Sequence, residues 1–410
     1  MTPTFLFYIL IGILVFNFIV DAILNYVNAK HFNDAIPEEL ADIYDAEAYR
    51  KSQNYKKTNY RFSIITSLFS LAVILTFFFL DGFAFVDGLA RSYTENPISI
   101  ALIFFGIIMI GNDMIALPFS YYKIFVIEER FGFNKTTKKT FILDRIKGWL
   151  ISASIGGGIL ALIIWFYQLT GTHFWIYAWI LVAAFTLFMN MFYAKLIVPL
   201  FNKQTPLQEG ELKSAISSYA GKVGFTIANI FVIDGSKRST KANAYFSGFG
   251  REKRITLFDT LIKDLETDEI VAVLAHEVGH YKKNHIVFNL VASILLTGFM
   301  LFILSLFINA PLLSQALGVE QQAFHIGLIA FGILYVPISE ITGFIMNYLS
   351  RKFEYQADNY AKETYSETPL ITALKKLSKK SLSNLTPHPL YVKIHYSHPT
   401  LLQRIKNLRF

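Results

Sequence analysis

His276-Glu277-Val278-Gly279-His280 places two imidazoles and a carboxylate within five residues. Residues four apart share one helix face, so the imidazoles converge while Glu277 projects about 100° around the axis. A zinc hydrolase needs this set: two neutral nitrogen ligands, and a carboxylate beside the water that the metal acidifies. That carboxylate can take the proton and pass it to the leaving amine. A chain of this composition gives roughly 0.008 such matches by chance, which makes two unrelated surface histidines the weaker reading. The preceding stretch, Ile270-Val-Ala-Val-Leu-Ala275, is helix-forming and lacks Pro. The helix is expected from about Asp268 to Asn284, with Thr267 as its cap and Asp268 and Glu269 at its positive end.

A catalytic zinc needs a third protein ligand and an open fourth position. Ile286 stands where an extended motif would have a third His. His285, five residues past His280, lies about 500° around a continued helix and is expected to face away. The third ligand must therefore come from elsewhere. Glu354 and Asp358 in Ser350-Arg-Lys-Phe-Glu-Tyr-Gln-Ala-Asp358 are again four apart on a probable helix. One could ligate while the other orients a ligand histidine. Glu340 competes, but an intramembrane carboxylate more often lines a cavity.

The elements that must hold these residues are mostly membrane-embedded. Of 410 residues 53% are hydrophobic and 17% charged, against about 45–50% and about 25% in soluble domains. The excess lies in long blocks, which excludes a soluble enzyme or a disordered chain. There is no cysteine, which excludes disulfides, thiolate ligands and cysteine nucleophiles. Seven stretches approach the roughly 20 residues of a bilayer crossing: Thr4–Val27, Phe62–Leu80, Ile98–Phe119, Trp149–Tyr167, Phe174–Ala194, Ile286–Ile308 and Ile326–Met346. All but one of the 38 lysines and arginines fall in the loops after spans one, three and five and in the C-terminal tail. By the positive-inside rule that face is cytoplasmic, with the N-terminus outside. The net charge of +8 is then a result of topology and no sign of nucleic acid. Membrane lipid is the expected surrounding.

The expected fold is a mainly α-helical polytopic membrane protein with seven transmembrane helices and a cytoplasmic α+β metallopeptidase domain. Its expected parts are a five-span region (1–194), a cytoplasmic segment (195–285), two further spans (286–346) and a cytoplasmic segment completing the site (347–410). The first cytoplasmic segment reads as short strands with Gly turns around Ile227–Asp234, Asn243–Gly250 and Arg254–Phe258. Asn17, Asp21, Asn112, Asp113, Asn190, Asn289 and Glu340 lie in or at the ends of the spans, and should face protein or water. From residues alone, Asn243 is either a turn residue or a donor and acceptor for an extended peptide. His398 is either a helix cap before Pro399 or a donor to an oxyanion.

The chain resembles the type I CAAX prenyl proteases over nearly its whole length. The resemblance rests on Glu128-Glu-Arg-Phe-Gly-Phe-Asn-Lys-Thr-Thr137, Phe201-Asn-Lys-Gln-Thr-Pro-Leu207 and Gly235-Ser-Lys-Arg-Ser. It continues through Asn243-Ala-Tyr-Phe246, Lys253-Arg-Ile-Thr-Leu-Phe-Asp-Thr260, the His276 motif, Glu354 with Asp358, and Ser397-His-Pro399. It implies a zinc endopeptidase of the gluzincin type with one Zn2+ per chain, bound by His276, His280 and Glu354. Glu277 would be the base, and Asp358 would hold a ligand histidine. Asn243 would grip substrate backbone, while His398 and Arg404 would stabilise the oxyanion and order the site. It also implies a peptide or protein substrate, lipidated or not, and seven helices around a water-filled chamber. Eukaryotic members read Ser-His-Ser where this chain has Thr240-Lys241-Ala242, and no Lys-Asp-Glu-Leu signal ends the chain. A bacterial plasma membrane is the expected compartment. The rivals are a quality-control protease like the heat-shock membrane metalloprotease HtpX, and a transporter with a structural zinc.

Overall fold

The computed structural model describes residues 1–225, 229–248 and 253–410. Helix α1 (Pro3–Lys30) starts where Thr2 accepts from the Phe5 N–H and Pro3 fills the first turn. Its 28 residues span about 42 Å, enough to cross a bilayer. Asp45 caps α2 (Ala46–Phe79). Short α3 (Gly82–Arg91) lies at the outer end, and Asn96 caps α4 (Pro97–Tyr122), which runs on into wider π turns at Lys123–Glu128. Helix α5 (Lys138–Ile151) joins α6 (Gly157–Thr170) through similar π turns. Gly171, with φ +55°, ends that run and α7 (Phe174–Leu196) returns. All seven expected crossings thus fall within helical runs, the fourth and fifth inside the apolar stretch Lys138–Phe201. Large side chains such as Phe16, Ile23, Phe79, Leu169 and Ile180 face outward, a surface that suits lipid and not water.

After α8 (Val198–Phe201) the chain enters a four-stranded sheet, β1 (Gln204–Pro206), β2 (Asn229–Ile233), β3 (Ala244–Ser247) and β4 (Arg254–Phe258), in the order β1-β2-β4-β3. Strand β4 runs parallel to β2 and antiparallel to β3, leaving β3 at an edge. Ile227 and Ala228 of the first expected strand, and Phe249 and Gly250 of the second, lie outside the described residues. β1 carries no alternating apolar pattern and was not expected. Helices α9 (Glu211–Lys222), α10 (Asp259–Asp264) and α11 (Thr267–Lys282) cover the sheet. Glu266 and not Thr267 caps α11, through a reciprocal capping box with Glu269.

The chain returns to the membrane as α12 (His285–Phe307) and turns through α13 (Pro311–Gln315). The 41-residue α14 (Phe324–Thr364) then carries it back without a break. The boundary expected at 346/347 falls inside this helix. Helices α15 (Glu367–Lys380), α16 (Pro389–His395) and α17 (Leu401–Arg409) complete the part that packs with the sheet. One core joins the two segments outside the spans: Ile216, Leu257, Ile270 and Leu274 pack with Ala361, Leu370, Ala373 and Leu408.

Candidate metal centre

The centre lies between α11 and α14. Gly279 lets the two backbones meet: a Cβ there would stand 3.0 Å from the Ala357 Cα and 3.1 Å from its carbonyl oxygen. His276 and His280 project from α11 and Glu354 from α14. The two Nε2 atoms are 3.1 Å apart, and Glu354 places its carboxylate oxygens 3.5 Å from His276 Nε2 and 3.3 Å from His280 Nε2. Ligands about 2.0–2.1 Å from a tetrahedral zinc are separated by about 3.3 Å; one atom from each of the three residues lies within 4.8 Å of the other two, close enough to converge on one ion.

The hydrogen bonds behind the ligands lead to the same fit. His276 Nδ1 lies 2.8 Å from Asp358 Oδ1, so Nδ1–H donates to the carboxylate. His280 Nδ1 lies 3.0 Å from His285 Nδ1, and His285 Nε2 lies 2.7 Å from Gln356 Oε1. Gln356 Oε1 can only accept, which puts the His285 proton on Nε2 and makes His280 Nδ1–H the donor to His285. Each ligand imidazole then turns an unprotonated Nε2 toward the other. Glu354 Oε2 adds a buried acceptor with no hydrogen-bond partner. Three facing lone pairs repel unless a metal ion or a proton lies among them.

His285 corrects the expectation that it faces away. The helix ends at Lys282, Asn284 takes a left-handed φ of +59°, and α12 begins at His285. The 500° argument assumed a continuous helix. The signal available was Asn284, since Asn tolerates that conformation better than most residues.

Arg404 stands behind the ligands. Its Nε and Nη2 grip both Asp358 oxygens at 2.9 and 2.6 Å, and Nη1 is 3.5 Å from Glu354 Oε2. His398 instead is open, with 63% of its side chain exposed, and its Nε2 is 3.3 Å from Glu354 Oε1. It does not cap a helix, because Thr400 caps α17. A cavity of about 530 Å3 reaches His398, Arg404 and Ala242. Asn243 adjoins Ala242, immediately before edge strand β3. Its carbonyl accepts from the Phe258 N–H, extending the strand pairing, so it is no turn residue. Glu277 is half-buried on α11, and among the described residues nothing hydrogen-bonds its carboxylate. Glu340 is exposed and lies 14 residues before Glu354 on α14, about 21 Å along the axis. It is therefore not a third ligand.

A bilayer-spanning bundle that holds a histidine–carboxylate centre over one end defines a membrane-embedded metallopeptidase. The chain belongs to peptidase family M48, whose model matches residues 206–410, while the model described as CAAX prenyl protease N-terminal, five membrane helices, matches residues 25–203. It is 37% identical to CAAX prenyl protease 1 of Saccharomyces cerevisiae, over 98% of this chain and 95% of that one. It is 33% identical to the human CAAX prenyl protease 1 homolog, over 91% and 88%. The crystal structure of S. mikatae Ste24p superposes with a TM-score of 0.94 at 36% identity, over 99% of each chain.

Proposed function

We propose that this protein is a zinc-dependent endopeptidase that processes the C-termini of membrane-associated, lipidated proteins at the cytoplasmic membrane face. The observation that carries it is the convergence of His276 Nε2, His280 Nε2 and the buried Glu354 carboxylate on one point. The names of the similar proteins, CAAX prenyl proteases from yeast to human, support the substrate class. Because the five-helix N-terminal model matches as well as the peptidase model, nothing specific favours a quality-control protease or a transporter. The relatives reported above are eukaryotic, so they add nothing to the expected bacterial plasma membrane. The basic loops support a cytoplasmic C-terminus.

His276, His280 and Glu354 would hold one Zn2+, which when bound polarises the scissile carbonyl and acidifies water. Glu277 takes the proton of the attacking water and delivers it to the leaving amine. Asp358, locked by Arg404, keeps the His276 ring in its ligating tautomer. His398, open to the cavity, donates to the oxyanion that develops on the scissile carbonyl oxygen. Asn243, at the foot of an edge strand, aligns substrate backbone as strand addition requires.

Glu277→Gln keeps the shape and removes the base. With a farnesylated C-terminal peptide, turnover should fall by at least about 100-fold while one zinc per chain is retained, read by metal analysis and product mass spectrometry. Retained cleavage in a pure variant would remove Glu277 from its role. Wild-type zinc well below one per chain would remove the centre itself.

A further inference from the structure

A second polar site lies beyond the metal centre, in a cavity of about 600 Å3 between the cytoplasmic ends of α1 and α2 and the loop after α15. Lys56 and Lys123 line it, and no Asp or Glu does. Lys56 is only 8% exposed. Its ammonium donates to Asn384 Oδ1 at 3.2 Å and lies 5.7 and 5.6 Å from the Phe32 and Tyr49 rings. Among the described residues no carboxylate pairs with it, although an ammonium has three donors and a buried charge is costly unless paired.

Beside it, Asn384 Oδ1 also accepts from the Thr386 N–H at 3.1 Å, which fixes the orientation of the amide. Its Nδ2 is then a buried donor without a partner. A buried cation short of acceptors and a buried amide N–H2 with none together await an anion that accepts from both. Asn59 Oδ1, a buried acceptor without a partner, lines the same cavity and offers a place for a peptide N–H. One carboxylate preceded by one amide N–H is the end of a polypeptide chain.

The position relates this site to hydrolysis. Ser381, Ser383, Asn384 and Tyr396 line both this cavity and the one that reaches His398 and Arg404. A peptide lying across the metal centre can therefore pass Tyr396 and bring its end to Lys56. Each extended residue spans about 3.4 Å, so a bond cleaved a few residues from the terminus needs a receptor outside the metal centre.

We infer that Lys56 and Asn384 form the receptor for the free C-terminal carboxylate of the substrate, and so set how far from the chain end the enzyme cuts. This rests on the endopeptidase reading above. The test uses the purified full-length protein and one lipidated peptide made as the free acid and as the C-terminal carboxamide. Wild type should prefer the acid at least tenfold in kcat/KM, mostly through KM. Lys56→Met should cleave both at the rate of the wild type on the amide, with zinc content unchanged, and Lys56→Arg should restore a preference. Asn384→Asp, isosteric but negative, should abolish the preference even where Lys56→Met is poorly folded. Equal cleavage of acid and amide by wild type, or a full preference in folded Lys56→Met, overturns the receptor and leaves the endopeptidase reading standing. A zinc-loaded wild type that cleaves neither peptide removes both.

Discussion

At the scale of single residues, the centre is a balance of charges that the metal must enter. Burial and the neighbouring Arg404 push the His276 imidazole toward a lower pKa. Hydrogen bonds to Asp358 and Glu354, with the charge of Asp358, outweigh them and raise it to about 9. Burial pushes Glu354 up, but the close approach of His276 and His280 and the Arg404 charge win and hold it well below the usual carboxylate range. Without metal, His276 is thus protonated at neutral pH and bridges two carboxylates. That stabilisation is complete below an unfolded-state pKa of about 6.5 and fades as pH rises through about 9. Zinc needs the Nε2 lone pair, so uptake at pH 7 should release about one proton per ion. Its affinity should fall about tenfold per pH unit of acidification. Titration calorimetry in buffers of different ionisation heat measures the proton count, and zero release would mean that His276 is already neutral. Much of this site is legible in the sequence, because the spacings 276/280 and 354/358 each place two groups on one helix face. The His285–Gln356 support of His280 is not, because it depends on a turn at Asn284 that helical periodicity cannot show.

At the scale of elements, the centre exists because two helices approach more closely than side chains allow. Ala at 279 would gain up to about 1 kcal/mol in helix propensity. Its Cβ would meet the α14 backbone at 3.0–3.1 Å, and backbone in a packed helix gives way less than a flexible side chain. Overpacking of this kind costs about 1–3 kcal/mol, so the clash should win. Gly279→Ala should lower the thermal midpoint and also weaken zinc, since moving α14 by a few tenths of an ångström moves Glu354 with it. Equilibrium dialysis against a zinc chelator reads this, and wild-type affinity at a lowered midpoint would separate packing from ligand geometry. The helices themselves follow from the long apolar runs and the Thr2, Asp45 and Asn96 caps, all visible in the sequence. Strand β1 and the pairing order of the sheet do not, because they depend on long-range partners. The departure at Thr240-Lys241-Ala242 also needs coordinates to interpret. Lys241 reaches Glu128 at 3.0 Å and the Tyr55 hydroxyl at 3.1 Å, fastening the approach to Asn243 onto α2 and the turns after α4.

At the scale of the whole molecule, the metal links parts of the chain that are far apart in sequence and differ in solvent. α11 belongs to the core around the sheet, whereas α14 runs unbroken from the far end of the bundle to Glu354 and Asp358. Arg404, from the last helix, closes the third side. Removing the metal leaves, at neutral pH, the His276 imidazolium to hold Glu354 and Asp358 in place of the ion. The outer ends of the bundle are held by separate apolar clusters, such as Leu6, Leu10, Phe78, Phe104 and Ile326, none of which touches the centre. Chelation should therefore loosen the molecule unevenly. With free zinc at 1,000 times its Kd the ion contributes about 4 kcal/mol, which in a cooperative unit of about 150–250 residues corresponds to roughly 8–16 °C of thermal midpoint. Hydrogen exchange after chelation should rise in 267–282 and 398–409 and in the cytoplasmic end of α14, while α1 and α4 keep their protection. A uniform rise across the bundle would show that the ion holds the fold as a whole and not the joint between its two halves.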